Sequence, residues 1–157
     1  MNSKSEFADY IRYVPVLCAP FVGACQTVEM SVDAVKSLWK AIQARDWDKV
    51  TSFYSEAAVM LWPVSGESFT GRAGIVAVNE KYPEGWSIHV LAVDALADGR
   101  VVSRVRVDLA PNAFFAISFF TLESGMIVRV EEYWATQEEP EPWRTADSIP
   151  GWGRIIL

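Results

Sequence analysis

WSIHVLAVDALADGRVVSRVRVDLAPNAFFAISFFTLESGMIVRVEEYW, residues Trp86–Trp134, is the stretch on which the fold turns. Runs rich in Val, Ile, Phe and Tyr (Trp86–Ala97, Val101–Leu109, Ala113–Leu122 and Met126–Trp134) alternate with Asp98-Gly99, Ala110-Pro111-Asn112 and Glu123-Ser124-Gly125. These interruptions are turn-forming compositions, and Asp-Gly between alternating apolar residues is a strong local signal for a tight hairpin. The stretch predicts an antiparallel meander of four strands.

Counting outward from the turns assigns faces, because cross-strand partners share a side of the sheet and side chains alternate with period two. A two-residue turn at Asp98-Gly99 sets His89 opposite Asp108. A three-residue loop at 110–112 sets Asp108 opposite Phe114 and Arg106 opposite Ala116, and a three-residue loop at 123–125 sets Ala116 opposite Glu132. On that count His89, Arg106, Asp108, Ser118 and Glu132 share a face with Leu91, Phe114, Phe120, Val128, Val130 and Trp134. Arg106 could then reach over the small Ala116 toward Glu132. A guanidinium between two carboxylates favours their ionised forms while burial opposes them, and His89 beside Asp108 makes an acid–base dyad. Such a set could hold a water and polarise an oxygen, as epoxide opening or dehydration requires.

The other face carries Val101, Val105, Val107, Leu109, Phe115, Ile117 and Phe119. Were that face the core, the polar cluster would be a charged exterior whose pairs contribute about 0–1 kcal/mol each. Glu132 stands between Val130 and Trp134 while Arg129 and Glu131 point the other way, which favours the pocket assignment. The second apolar face then needs a cover, and a homodimer joined through this outer sheet face supplies one.

Upstream the period is helical. Ser31 is a candidate N-cap for Val32, Val35, Leu38, Trp39 and Ile42, and Asp46 for a shorter helix through Val50, Phe53 and Tyr54. Ala57–Trp62 suits an edge strand ended by Pro63, residues 66–71 read as a loop, and Gly71-Arg72-Ala73-Gly74 opens a third helix that ends before Tyr82-Pro83. Helices first and strands after give an α+β class. Residues 1–30 form an N-terminal extension of undefined structure, and 31–157 form one domain with an acidic, Pro-rich tail at Glu138–Pro142.

Composition narrows the function classes. Hydrophobic residues at 51 % against 22 % charged exclude a disordered chain of 157 residues. Seven Trp among 13 % aromatics serve either a ring-rich core or an aromatic-lined cavity. A net charge of −6 without any Lys/Arg run excludes a nucleic-acid face. Cys18 and Cys25 have no companion pair and His89 is the only histidine, so no metal site is expected. Tyr13–Cys25, broken by Pro15 and Pro20, is too short to span a membrane. Val22-Gly23-Ala24-Cys25 loosely resembles a lipoprotein cleavage box, but Glu6 and Asp9 interrupt the basic leader. A cytoplasmic protein with free thiols is expected, with export through a lipidated Cys25 as the alternative.

Four pieces together resemble the nuclear transport factor 2-like superfamily of SnoaL-like cyclases, ketosteroid isomerase, scytalone dehydratase and limonene epoxide hydrolase. They are Ala41–Asp48, Phe53–Val59, Gly71–Ile75 and Gly125–Trp134. The resemblance covers residues 32 to about 136. It implies a cone-shaped, curved mixed sheet wrapped around the N-terminal helices and enclosing a hydrophobic pocket for a small hydrophobic molecule. By position Trp39, Tyr54 and Trp62 are candidates for its wall, each at least as well suited to plain core, and Phe114, Ser118, Phe120 and Trp134, on the face of the polar cluster, are expected to line it with them. The isomerase's base, tyrosine and protonated aspartate would fall at Trp62, Leu38 and near Ser118, so its chemistry is not carried over. The epoxide hydrolase pattern is matched in part by Arg106-Val107-Asp108 and by Glu132 before Tyr133-Trp134. The resemblance implies cofactor-free hydrolysis, dehydration or isomerisation with Arg106 orienting or polarising and Asp108 and Glu132 as acid and base, and the register adds His89 as an assisting group. A binding or carrier module and a dimeric interaction protein remain open beside it, because one fold hosts many functions.

Overall fold

The computed structural model describes residues 22–155, with side chains from residue 27 onward. Helix α1 (Val22–Gln43) is followed by α2 (Trp47–Phe53), β1 (Tyr54–Trp62), β2 (Glu67–Thr70), α3 (Arg72–Glu80), β3 (Ser87–Ala95), β4 (Val101–Leu109), β5 (Asn112–Glu123) and β6 (Met126–Thr136). The strands form one mixed sheet in the order β2-β1-β6-β5-β4-β3, with β1 parallel to β6 and the remaining pairs antiparallel. The sheet is open, its edges being β2 and β3. Among the described residues no helix is long and apolar enough to cross a membrane.

Local chemistry accounts for most boundaries. In α1, Val35, Leu38, Trp39 and Ile42 recur at helical spacing and are buried against the sheet. That helix already begins at Val22, so Ser31 is no N-cap; inside the helix its hydroxyl bonds back to the Thr27 carbonyl at 3.0 Å. Asp46 does cap α2, its carboxylate accepting the Lys49 N–H at 3.1 Å. Residues 66–71, expected as a loop, contain β2, which pairs Glu67 with Trp62 and Thr70 with Val59. Cys18 and the side chain of Cys25 lie outside the described residues.

The meander forms as expected, but one turn reverses the expected faces. Leu109 pairs with Asn112, so β4 and β5 are joined by two residues, Ala110 and Pro111, where a three-residue loop was expected. Asp108 therefore faces Ala113 and Arg106 faces Phe115. A shift of one residue moves a whole strand to the opposite side relative to its neighbour. The β3–β4 and β5–β6 registers also depart from the count: His89 pairs with Arg106, and Glu132 with Ser118. Both of those departures amount to two residues and leave the faces unchanged. The inner face is built from Val101, Ser103, Val105, Val107, Ala116, Ser118, Phe120, Val130 and Glu132, all buried. Val105 and Val107, expected beneath a second subunit, are core. Phe115, Ile117 and Phe119 lie on the outer face with Arg104, Arg106, Asp108 and His89.

Candidate functional site

Glu132 is the only charged side chain among the described residues to be buried, 6 % exposed. Strand β6 puts it inward between Val130 and Trp134, and three donors hold its carboxyl. The Trp62 indole reaches Oε2 from β1 at 2.9 Å and the Trp134 indole reaches the same oxygen at 3.2 Å. The Ser118 hydroxyl, directly across on β5, donates to Oε1 at 3.0 Å. Burial disfavours the charged form and pushes this carboxyl above the ordinary glutamate range, while the three hydrogen bonds pull it back. Tyr54, wholly enclosed nearby, has its phenol pushed far above the usual tyrosine range, first by burial and then by the Glu132 charge.

Glu132 forms part of the wall of a pocket of about 320 Å³. Trp39, Trp62, Trp86 and Trp134 line it with Phe114 and Tyr82, and aliphatic residues of α1, α3, β3 and β4 complete the wall. Its acidic residues are Glu67 and Glu132, and no Lys or Arg lines it. The tryptophan surplus read from composition is thus largely spent here. The volume is about twice that of an engineered cavity of about 150 Å³ that takes up benzene.

The structure distributes the expected site residues unevenly. Trp39, Trp62, Phe114 and Trp134 line the pocket. Ser118, Tyr54 and Phe120 are buried behind it, with Ser118 on the Glu132 carboxyl and Phe120 edge-on to Trp39 at 6.5 Å between ring centres. His89, Arg106 and Asp108 do come together, but on the outer face. His89 Nε2 lies 3.0 Å from one Asp108 oxygen, and Arg106 Nε donates to the other at 2.7 Å. These side chains are 56, 23 and 41 % exposed in the order His89, Arg106, Asp108. The Arg106 hydrogen bond, more than the His89 contact, holds the Asp108 carboxyl below its ordinary range. The expected bridge from Arg106 to Glu132 is absent, because the two side chains leave the sheet on opposite sides. Trp86, Tyr82 and Asn79 were missed: Trp86, three residues from His89, falls on the other face of the expected strand, while Asn79 in α3 and Tyr82 just after it were given no role. Among the described residues no three His, Cys, Asp or Glu side chains gather as a metal site.

A model of the SnoaL-like domain matches residues 35–130, well over half of the chain. The chain belongs to the SnoaL-like domain family. Solved structures agree on the fold of this SnoaL-like protein. A Kribbella flavida protein provisionally assigned as a ketosteroid isomerase matches at a TM-score of 0.71 and 24 % identity, over 82 % of this chain and 92 % of that one. An LEH-like epoxide hydrolase of M. tuberculosis matches at 0.58 and 17 %, over 68 % and 84 %. A Xanthomonas campestris protein provisionally assigned as a polyketide cyclase matches at 0.57 and 20 %, over 68 % and 91 %. At these identities the likeness establishes the α+β, cone-like architecture alone. No curated protein matches the sequence.

Proposed function

We propose that this SnoaL-like protein binds a small, neutral, largely apolar molecule and moves a proton on it without a cofactor, Glu132 acting as the acid–base group. The observation that carries the reading is a carboxyl buried in the wall of an aromatic pocket, oriented by three donors and raised in pKa by burial. A general base works best when its pKa approaches the working pH, and burial moves a glutamate in that direction. One carboxyl can remove a proton next to a carbonyl and return it elsewhere, which is what an isomerisation or an intramolecular cyclisation requires. Epoxide hydrolysis requires one group to activate water and another to protonate the leaving oxygen. The separation of Glu132 from Arg106 and Asp108 therefore favours proton transfer over hydrolysis.

Deuterium exchange tests this before any product is known. Apolar cyclic ketones are incubated with the protein in D₂O, and mass spectrometry follows label entering next to the carbonyl. Glu132→Gln should exchange at least about 100-fold more slowly than the parent, the lower end of what a positioned base supplies. Equal rates would remove Glu132 from the mechanism. A carrier reading is favoured by one observation, that protein donors already engage both Glu132 oxygens. Binding of the ketones with no exchange above buffer would establish it.

We also propose a second copy of the chain as the cover of the outer face. There Ile117 and Tyr133 are exposed and directly paired, Phe115 and Phe119 are half-buried beside them, and Arg104 and Glu131 supply opposite charges for a self-complementary contact.

A further inference from the structure

Polar groups are not spread evenly over the pocket wall. Glu132 is enclosed, whereas Ser65, Glu67, Tyr82 and Thr136 are exposed and Asn79 is half-buried. Around the enclosed carboxyl the wall is rings and aliphatic side chains, and the other carboxylate, the amide and the hydroxyls stand where the pocket opens to water.

Register gives Glu67 its direction. It pairs with Trp62 across β1 and β2, and cross-strand partners share a face of the sheet. Trp62 is turned inward, since its indole reaches Glu132, so Glu67 is turned inward as well. The two glutamates stand on β2 and β6, two strand spacings apart, about 9–10 Å between backbones, with Trp62 between them on β1.

The turn that joins β1 to β2 holds the Glu67 side chain. Gly66, at φ 74°, takes the left-handed conformation that lets its N–H reach the Trp62 carbonyl at 2.9 Å. The Ser65 hydroxyl in the same turn donates to Glu67 Oε2 at 2.5 Å. Glu67 Oε1 keeps its acceptor capacity. Asn79 is fixed in a similar way, Nδ2 donating to the Ile75 carbonyl at 2.8 Å, so that its Oδ1 is left to accept. Tyr82 and Thr136 add hydroxyls, which both donate and accept.

We propose that the pocket ligand carries a hydroxyl at the end remote from its carbonyl, and that Glu67 Oε1 accepts the hydrogen of that hydroxyl. This rests on the reading of the pocket as the place where Glu132 moves a proton, and it leaves the carbonyl end of the ligand with Glu132. The charge of the wall selects the group. With two carboxylates and no Lys or Arg, an anionic end would give up its water without gaining a counter-charge. A hydroxyl donates to Glu67 and also accepts from Tyr82 or Thr136, whereas an ammonium group only donates. The ligand class is a neutral hydroxyketone.

The test titrates the full chain with 1-tetralone, with its isomers hydroxylated on the aromatic ring, and with the matching carboxylate and aminomethyl derivatives, dissociation constants being read by calorimetry. At least one hydroxylated isomer should bind about three- to tenfold more tightly than 1-tetralone, the contribution of one hydrogen bond. The carboxylates should bind more weakly than 1-tetralone. Glu67→Ala should abolish the hydroxyl advantage while 1-tetralone itself binds as before. Glu67→Gln keeps an acceptor oxygen without the charge, so the hydroxyl advantage should persist and the discrimination against the carboxylates should lessen. A merely structural role for Glu67 would not split the two preferences in this way. Glu132→Gln should leave both intact, which separates this inference from the acid–base reading. Equal binding of 1-tetralone and every hydroxylated isomer, or an advantage that survives in Glu67→Ala, overturns the inference alone. Tightest binding of an aminomethyl derivative overturns the hydroxyl assignment in favour of a cationic ligand. Uptake of none of the probes overturns the small-molecule reading with it.

Discussion

Glu132 and the His89–Arg106–Asp108 cluster are ionisable groups of one sheet, yet burial raises the carboxyl of the first while the Arg106 hydrogen bond lowers that of the second. Because burial holds the folded-state pKa of Glu132 above that of the unfolded chain, the folded state binds its proton more tightly. That stabilisation is complete below the unfolded value, about 4.3, and is lost as pH rises through the folded one. Glu132→Gln keeps the shape without the charge. Its melting temperature should therefore gain on the parent between pH 5 and pH 8, by about 3 °C or more. A difference independent of pH in calorimetry would mean that the carboxyl ionises freely. Arg106→Ala, by contrast, loses a hydrogen bond to a half-exposed carboxylate. Thermal melts should show a shift of no more than about 3 °C, as for other surface pairs. A collapse of stability would instead place Arg106 in a desolvated network.

At the scale of elements, α1 is fastened to the sheet by more than apolar contact. The Trp39 indole donates to the Ser103 hydroxyl on β4 at 3.0 Å, with both residues buried. Ser103→Ala leaves that N–H without an acceptor and should cost about 1–3 kcal/mol in denaturant melts. Trp39→Phe combined with Ser103→Ala should cost less than the two single changes added together, since the orphaned donor is then gone. Strict additivity would show that the pair contributes no coupling. The element boundaries themselves were largely legible. Val101–Leu109 forms β4 with the expected bounds and Asp46 caps α2 as its side chain predicts. The β4–β5 register was not legible, because Ala110-Pro111-Asn112 supplies turn chemistry for either a two- or a three-residue connection. Asn112 turned out to belong to the strand.

For the whole molecule, the outer face decides assembly. If a second copy covers it, Ile117→Asp puts a charge into the middle of that contact while leaving the inner face untouched. Light scattering should then report a dimer for the parent and a monomer for the variant at micromolar concentration, with the fold retained by circular dichroism. A monomeric parent would end the proposal. The sequence by itself determined the class, the meander, the helical stripe of α1 and the surplus of rings, because these depend on composition and on periods read within one segment. It also singled out Glu132, whose immediate neighbours on its own face are apolar. Only the tertiary structure decided which side of the meander faces inward. Both faces of β4 and β5 carry apolar residues, so alternation cannot rank them. The choice rests on a single residue of turn length and on where α1 packs. That choice sent Arg106, Asp108 and His89 outward, left Glu132 with two indoles and a serine, and brought Trp86 into the pocket wall.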